Sequence, residues 1–260
     1  MNAYQKTVKM WKGFNVRTEA DIDMRLENFR VLFAYNSSKI ENPDVTLHDT
    51  REIFENGKAI GFTGAPRALF ELQNQKLAYE LIKPKLVAKE RLSFELIKEI
   101  HAALTGGTYD ERRYVEKGER PGTFKRHDYV TGREEVGSAA ENVEQDLGEL
   151  LEEIADYEGK DVTKIAAYFH ARFEYIHPFA DGNGRVGRTL LNYYLMRHGY
   201  PPTIIYDEDK ANYYMALEAY DTDEELEPLR LHIMRQTVKT WTKTLEREER
   251  RSDRSREQHQ

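Results

Sequence analysis

One twelve-residue segment, His177-Pro-Phe-Ala-Asp-Gly-Asn-Gly-Arg-Val-Gly-Arg188, constrains the fold of this chain more than any other feature. Pro178 disfavours helical geometry at the residue before it, so a helix that arrives from residue 161 is expected to end there. The glycines then permit a tight turn, after which helical periodicity resumes. The segment therefore predicts two helices joined by a loop rich in backbone N–H groups.

The start of the second helix is suited to binding an anion. Its first N–H groups lack partners within the helix and lie at the positive end of the helix dipole. Arg185 and Arg188 are three residues apart, so they share a helix face, and each guanidinium matches phosphate oxygens. Asp181 offers a carboxylate to a metal, and His177 is a suitable base near neutral pH. Together these residues indicate an enzyme that handles a nucleotide.

Each residue of the segment also has an ordinary structural explanation. Gly182 and Gly184 would suit any turn between helices, and Asp181 would suit an N-terminal cap. A single His177 could equally be a packed or surface histidine. A histidine, an acid, Gly-Asn-Gly and two arginines at helical spacing are together hard to explain by turn chemistry alone.

The rest of the chain predicts helix after helix. Apolar residues recur at helical spacing, Ser93 suits an N-terminal cap, and Gly106-Gly107 suits a helix end. Residues 107–137 break this pattern, and the β-prone residues 123–131 predict a short hairpin. The tail from residue 246 is almost entirely charged or polar and is expected to fray. The predicted helices cover residues 19–36, 66–89, 93–105, 140–157, 161–176, 185–198, 208–220 and 226–245.

Composition excludes several classes of protein. No stretch approaches the ~20 apolar residues of a membrane span, and the first residues lack the apolar core of a signal peptide. The chain has no cysteine, so it forms neither a disulfide framework nor a thiolate metal site. Its formal net charge of -7 argues against a general nucleic-acid binder. We expect a cytoplasmic protein without membrane or nucleic-acid partners.

The twelve-residue segment resembles the signature of the Fic family, His-x-Phe-x-Asp/Glu-Gly-Asn-Gly-Arg-x-x-Arg, at every fixed position. The resemblance extends over roughly residues 90–240. It implies an all-α fold, a Fic-type helical bundle with a short β-hairpin flap over the active site. It also implies a protein adenylyltransferase, which transfers AMP from ATP to a Ser, Thr or Tyr hydroxyl of a target protein and releases pyrophosphate.

The resemblance divides the chain into three parts and assigns roles within the signature. Residues 1–90 form an N-terminal helical region, 91–245 the catalytic core and 246–260 a disordered tail. Phe179 anchors the loop in the core. The resemblance implies that His177 is the base and that Asp181 binds Mg²⁺. It implies that the α- and β-phosphates are contacted by Gly182, Asn183, Gly184 and Arg185. It also implies that Arg188 contacts the γ-phosphate and that Tyr214 contacts the adenine.

Two further segments resemble functional parts of the family. Residues 122–132 resemble a flap that pairs with the target as an added strand, with Thr123, Phe124, Lys125 and Arg126 as its target-binding residues. Residues 213–221 resemble the helix that lies on the adenine side of the nucleotide in the family. The family pattern often ends in Asn, where this chain has Asp221, and a carboxylate accepts but cannot donate a hydrogen bond. That difference leaves the detailed nucleotide preference open.

Residues 37–42, Ser-Ser-Lys-Ile-Glu-Asn, match the inhibitory pattern Ser/Thr-x-x-x-Glu-Gly/Asn of the family. In that interpretation Ser37 and Glu41 belong to an autoinhibitory segment, and Glu41 pairs with Arg188. One guanidinium cannot hold both this carboxylate and a γ-phosphate, so ATP is misplaced or excluded. The alternative is a solvated glutamate at the end of a helix.

Other functions remain open at this stage. The same site could act as a hydrolase that removes AMP from a modified protein, with Glu41 positioning the attacking water. The chain could also be a toxin-like interaction module, although its intact signature argues against lost activity. A metal hydrolase would need several converging ligands, and Asp181 alone is obvious near the loop. Family members often pair, so a homodimer is possible.

Overall fold

The structure, a computed structural model, describes residues 1–130, 137–155, 157 and 161–257, with side chains to Arg251. This part of the chain is all-helical and contains no strand, which confirms the predicted all-α class. Short 3-10 or π turns occur at Arg112–Glu116, Ala140–Asn142 and Asp207–Asp209. The α-helices are α1 (Ala3–Gly13), α2 (Glu19–Lys39), α3 (Leu47–Asn56), α4 (Pro66–Val87), α5 (Phe94–Thr105), α6 (Val143–Ala155), α7 (Val162–Ile176), α8 (Asn183–Arg197), α9 (Lys210–Asp223) and α10 (Glu227–Glu257).

The helix ends around the signature segment follow local sequence. The Ser93 side chain accepts a hydrogen bond from the Leu96 N–H over 3.2 Å, which confirms the predicted cap of α5. Helix α7 ends at His177, whose φ of 51° is left-handed. Gly182 precedes α8 with a φ of 83°, a value that a glycine adopts without strain. The loop between α7 and α8 therefore begins and ends with a residue in the left-handed backbone conformation.

Two helices escaped the sequence prediction because each buries few apolar side chains. Helix α1 begins with a capping box between Asn2 and Gln5 and buries only Thr7 and Trp11. Trp11 contacts Trp241 of α10, with ring centroids 5.1 Å apart. Helix α3 likewise buries only three residues. Helices as short as these are marginal by themselves and become stable mainly through packing against the rest of the fold.

Helix α10 differs from the sequence prediction at its end. It continues to Glu257, whereas the charged residues from 246 onward were expected to fray. Charged side chains at helical spacing support this extension, since Arg251 Nη1 lies 3.3 Å from Glu248 Oε1. Pro84 lies inside the last turns of α4.

Helices α7 and α8 form the centre of the molecule. Phe169, Phe173, Ile176 and Leu190 are completely buried between them and their neighbours. The C-terminal end of α2 and the N-terminal end of α4 reach the α7–α8 loop through the contacts described below. Among the described helices, none combines the length and the apolar character that crossing a bilayer requires.

Candidate active site

The loop between α7 and α8 is anchored by Phe179, as predicted. Its ring is completely buried and stacks on the His101 imidazole, with centroids 3.7 Å apart and planes at 4°. The His101 Nδ1 accepts from the Gly122 N–H over 2.8 Å, so Nε2 carries the proton that it shares with the Asp181 carbonyl at 3.0 Å. Burial lowers the pKa of His101 to about 3, which keeps this bridge neutral.

The Asn183 side chain stabilises the loop by two hydrogen bonds to the loop's own backbone. Its Oδ1 accepts from the Phe179 N–H over 2.9 Å, and its Nδ2 donates to the Phe179 carbonyl over 2.8 Å. The side chain is 2% exposed. The amide is thus engaged inside the loop, and only the backbone N–H of Asn183 remains for the phosphate contact that the sequence assigned to this residue.

His177 lies at the edge of the cleft and is held through its own helix. Its Nδ1 lies 3.3 Å from the Glu174 carbonyl, which can only accept, so Nδ1 carries the proton. Burial lowers the pKa of His177 to about 4. The imidazole is therefore neutral near pH 7, and its Nε2 has a lone pair with which to accept a proton.

Arg185 is buried in the wall of the cleft, and some of its N–H groups have no hydrogen-bond acceptor within the described structure. Its side chain is 2% exposed, and its Nε and Nη1 have no hydrogen-bond partner within the described structure. Nη1 does lie 3.3 Å from Glu71 Oε1, an ion-pair distance at an angle unsuited to a hydrogen bond. Buried donors without acceptors are costly.

Arg188 is held by the segment that the sequence singled out as inhibitory. Its Nε donates to Ser37 Oγ over 3.1 Å, and its Nη2 donates to the Ser37 carbonyl over 2.8 Å and to Glu41 Oε1 over 2.9 Å. Burial alone would lower the pKa of Arg188, but Glu41, Tyr213 and Glu174 together outweigh it and the pKa is raised. A side chain on Gly184 would collide with Glu41 Oε1, so this glycine makes room for the carboxylate.

Asp181 is engaged at both carboxylate oxygens. The Gly182 N–H donates to Oδ1 over 2.7 Å, and Arg67 Nη2 donates to Oδ2 over 2.6 Å. No cluster of three or more His, Cys, Asp or Glu side chains poised for a metal occurs in the described ranges. A single carboxylate nevertheless fits Mg²⁺, which proteins commonly hold through one or two carboxylates together with substrate phosphates.

Sequence reasoning missed three charged residues of the site. Arg67 and Glu71 of α4 are paired at 2.9 Å, and an Arg–Glu pair four residues apart reads as an ordinary surface pair on a helix. Glu174 lies on α7, one turn before His177. Burial raises the pKa of its carboxyl to about 7, the value of a group that titrates near neutrality. Only the fold brings Arg67 and Glu71 to the signature loop, whereas Glu174 lies three residues before it in sequence.

The two adjacent tyrosines of α9 take different positions. Tyr213 is 1% exposed, and its hydroxyl lies 2.8 Å from His170 Nε2, so it is a core residue. Tyr214 is 45% exposed and lines a cleft of about 670 Å³. The cleft also contains most of the predicted site, namely Glu41, His177, Asp181, Gly182, Asn183, Gly184, Arg185 and Arg188.

The flap differs from the expected hairpin in the part that the structure describes. Residues 122–130 form no strand, and residues 131–132 of the predicted hairpin lie outside the described residues. The Lys125 N–H donates to the Pro178 carbonyl over 2.9 Å, which ties this segment to the signature loop. Phe124 packs against Phe94 and Phe179, and the Thr123 hydroxyl donates to the Arg120 carbonyl over 2.9 Å.

A buried carboxylate holds the same segment in place by hydrogen bonds. Glu119 is 1% exposed and accepts from the Arg126 N–H over 3.1 Å and from the Tyr129 hydroxyl over 2.9 Å. His127 Nδ1 lies 3.0 Å from the same carboxylate. Within the described residues 122–130, these local hydrogen bonds take the place of strand pairing.

Comparison with known proteins agrees with this geometry. The sequence profile of the Fic/DOC family matches residues 91–195, which include the whole signature. These residues belong to the Fic/DOC family. The Fic match includes α5, α7, most of α8 and the flap, whereas the inhibitory segment and α9 lie outside it.

Curated relatives extend the similarity beyond the matched domain. The protein adenylyltransferase Fic of Drosophila willistoni is 32% identical over 191 residues, which cover 71% of this chain. That of Drosophila virilis is 31% identical over the same share. The chain spans about a third of the length of these relatives, since the match covers 35% and 36% of them.

Solved structures share the fold across nearly the whole chain. A Fic domain containing signaling protein from Bacteroides thetaiotaomicron matches with a TM-score of 0.80 at 24% identity, covering 94% of this chain and 96% of that one. Fic-1 from Caenorhabditis elegans matches with a TM-score of 0.76 at 24% identity, covering 97% and 72%. At this identity the two structures establish the arrangement of helices.

Proposed function

We propose that this chain is a protein adenylyltransferase that transfers AMP from ATP to a protein hydroxyl. The observation that carries the proposal is the arrangement at the start of α8. A buried Arg185 with unpaired donors lies beside the helix N-terminus, and a neutral His177 stands at the edge of the same cleft. An anion site beside a proton acceptor suits nucleotidyl transfer, in which positioning and charge stabilisation dominate.

The reaction follows from these positions. The hydroxyl oxygen of the target forms a bond to the α-phosphorus of ATP as the bond to the bridging oxygen breaks and pyrophosphate leaves. His177 Nε2 takes the hydroxyl proton, since its Nδ1 proton faces the Glu174 carbonyl. Arg185 and the first N–H groups of α8 hold the phosphates. A single histidine acting as general base contributes ~10²–10⁴-fold.

Asp181 is the residue that would hold Mg²⁺ with the nucleotide. The bound ion would neutralise charge on the α- and β-phosphates. The carboxylate lies in the same cleft as Arg185, so this assignment agrees with the phosphate-binding role of the loop. Tyr214 is the exposed aromatic residue of the cleft and is assigned to the adenine.

The resting state is autoinhibited in this proposal. Arg188 already has three acceptors from Ser37 and Glu41. A γ-phosphate would have to displace Glu41 from a buried guanidinium, and a charge-assisted pair of this kind is strong and geometrically specific. The segment 122–132 would bind the target, with Thr123, Phe124, Lys125 and Arg126 as its target-binding residues. Homodimer formation and a cytoplasmic location stay predictions.

The test is mass spectrometry of the Glu41→Gly protein after incubation with Mg-ATP and a cell lysate. We expect a mass gain of AMP on Ser, Thr or Tyr residues of the protein itself or of lysate proteins. The Glu41→Gly, His177→Ala double variant is the control and should show none. Phosphate instead of AMP on the targets, or equal labelling in both variants, would contradict the proposal.

The hydrolase alternative is tested with the same proteins. AMP-modified protein recovered from the first reaction is incubated with the wild-type chain and with Glu41→Gly. Loss of AMP with wild type alone would assign Glu41 to hydrolysis, because its carboxylate lines the cleft and would position water there.

A further inference from the structure

The ion pair between Arg67 and Asp181 places a cation on the oxygen that a metal would use. Arg67 Nη2 lies 2.6 Å from Asp181 Oδ2, and the other oxygen, Oδ1, accepts the Gly182 N–H over 2.7 Å. Arg67 reaches the loop from the first turn of α4, 114 residues earlier in the chain. The contact therefore joins the N-terminal region to the signature loop.

Arg67 is fixed in this position by a second carboxylate. Its Nε donates to Glu71 Oε1 over 2.9 Å, and the Glu71 side chain is 3% exposed. Burial alone would lower the pKa of Arg67, but Asp181 and Glu71 raise it, so the guanidinium is a permanent cation here. A planar guanidinium held between two carboxylates is well ordered, because the N–H groups that point in each direction have their own acceptor.

Glu71 in turn connects this arginine to the inhibitory segment. Asn42 Nδ2 donates to Glu71 Oε2 over 3.1 Å, and Asn42 directly follows Glu41 in sequence. One short segment thus contacts both sides of the cleft. Glu41 engages Arg188, while Asn42 orients the carboxylate that holds Arg67.

The charges in this cluster are balanced without a metal. Arg67 and Arg185 lie close to Glu71 and Asp181, so two cations face two carboxylates. A divalent cation entering at Asp181 would meet an arginine already on the same oxygen. Like charges at contact distance repel each other, and solvent screens this repulsion only in part, since the Asp181 side chain is 17% exposed and Arg67 is 40% exposed.

We propose that Arg67 is the resting counter-ion of Asp181 and must leave this carboxylate before a divalent cation binds there. The segment that contains Glu41 and Asn42 then restrains two parts of the cleft. It acts on the metal site at Asp181 through Glu71, and on the γ-phosphate site through Arg188. This inference rests on the proposed function, since it takes Asp181 as the metal ligand.

The experiment measures divalent-cation affinity directly, without nucleotide and without turnover. Mn²⁺ is titrated into the full chain, and the free ion is followed by electron paramagnetic resonance. We expect Arg67→Gln to bind Mn²⁺ more tightly than wild type by on the order of tenfold, the scale of one charge-assisted hydrogen bond. Arg67→Lys keeps the charge and should stay within about twofold of wild type, a limit set by the uncertainty of such comparisons.

A matched control removes an arginine that is also paired with an aspartate but lies away from the cleft. Arg230 Nη2 lies 2.9 Å from Asp161 Oδ2 at the N-terminal end of α7, whereas the signature loop follows the C-terminal end of that helix. Arg230→Gln should leave Mn²⁺ affinity unchanged. Thermal unfolding of each variant shows whether it is folded under the conditions of the titration.

A double-mutant cycle tests the link to the inhibitory segment. Asn42→Ala should tighten Mn²⁺ binding in the wild-type background and have little further effect once Arg67 is glutamine, because both changes act on one network. Additive effects would contradict the link through Glu71. Mn²⁺ binding by Arg67→Gln that is no tighter than wild type would overturn the counter-ion role.

Asp181→Asn separates this inference from the proposed function. It should abolish the gain seen with Arg67→Gln. If the asparagine variant binds Mn²⁺ as wild type does, the metal assignment of Asp181 is wrong and the inference falls with it. If Asp181→Asn weakens binding while Arg67→Gln does not strengthen it, the proposed function stands and the counter-ion role alone is refuted.

Discussion

Arg188 Nη2 donates to Glu41 Oε1 over 2.9 Å, across 147 residues of sequence. The guanidinium is buried, whereas the Glu41 side chain is 39% exposed. A partner so open to solvent can be displaced by a ligand that enters from the cleft, while the arginine itself stays in place through Ser37. The pair therefore has the geometry of a releasable contact.

We predict that Glu41→Gly raises AMP incorporation by an order of magnitude or more, since one charged hydrogen bond is worth roughly 1.5–3 kcal/mol. Self-modification with labelled ATP measures the effect. Arg188→Ala in the same background should cancel the gain. Asp44→Gly, which removes an exposed carboxylate from the same loop, is the control and should behave as wild type. A Glu41→Gly protein no more active than wild type would reduce residues 37–42 to a helix end.

His177→Ala in the Glu41→Gly background should lower transfer by ~10²–10⁴-fold, the usual contribution of a general base. ATP affinity, measured by calorimetry, should change little because His177 lies beside the phosphate loop. Because the pKa of His177 is lowered to about 4, the base stays unprotonated down to about pH 5, and protonation removes it only below that. His198→Ala, at the far end of α8, should retain activity.

Asn183→Ala should destabilise the protein by about 1–3 kcal/mol, because two buried backbone groups of Phe179 lose their partner. Asn192 provides a matched control, since its side chain makes the same pair of hydrogen bonds to the Thr203 backbone, at 2.9 and 2.7 Å. Urea unfolding should show similar losses for both alanine variants, and only Asn183→Ala should also lose AMP transfer. Equal transfer by the two folded variants would argue against a role of Asn183 in shaping the loop.

Glu119→Gln should loosen the flap, because the charged acceptor for the Arg126 N–H and the Tyr129 hydroxyl is lost. Cleavage by trypsin after Arg126 follows the opening of this segment and should accelerate by about tenfold if one charged hydrogen bond is removed. Glu116→Gln changes an exposed neighbour and should leave the rate of cleavage unaltered. No acceleration in Glu119→Gln would show that other contacts, such as the one from Lys125 to Pro178, hold the flap.

Glu174→Gln should stabilise the protein at high pH. The pKa of this carboxyl is about 7 in the folded protein, against an ordinary value of 4.5 for a glutamate. The folded state therefore binds the proton more tightly, and stability is lost as pH rises from about 4.5 through 7. The groups around it are Arg188, Glu41, Asp221 and His170.

Melting temperatures at pH 5 and pH 8 measure this effect. The glutamine variant should gain over wild type at pH 8, by an amount on the order of 3 kcal/mol, and differ little at pH 5. Glu152→Gln, an exposed glutamate of α6, is the control. A gain of the same size at both values of pH would mean that packing, and not ionisation, accounts for the change.

Local sequence determined the elements around the site. Pro178 and the glycines dictated where α7 stops and α8 starts, because they act on backbone geometry within a few residues. Periodicity located eight helices, since each of them buries a stripe of apolar side chains. Helices α1 and α3, which bury only two and three residues, were not predicted. The residues after Gly122 bond to the buried Glu119, a contact that their β-prone composition does not indicate.

The sequence by itself also determined the chemistry of the signature, because His177, Asp181, Arg185 and Arg188 lie within twelve residues of each other. Tertiary structure decided which side chains face them. Arg67 and Glu71 look like a surface pair on α4, and Asn183 looks like a ligand contact. Folding places the pair on Asp181 and turns the Asn183 amide into the loop. Long-range pairing of buried charges depends on how helices pack, and that information is spread over the whole chain.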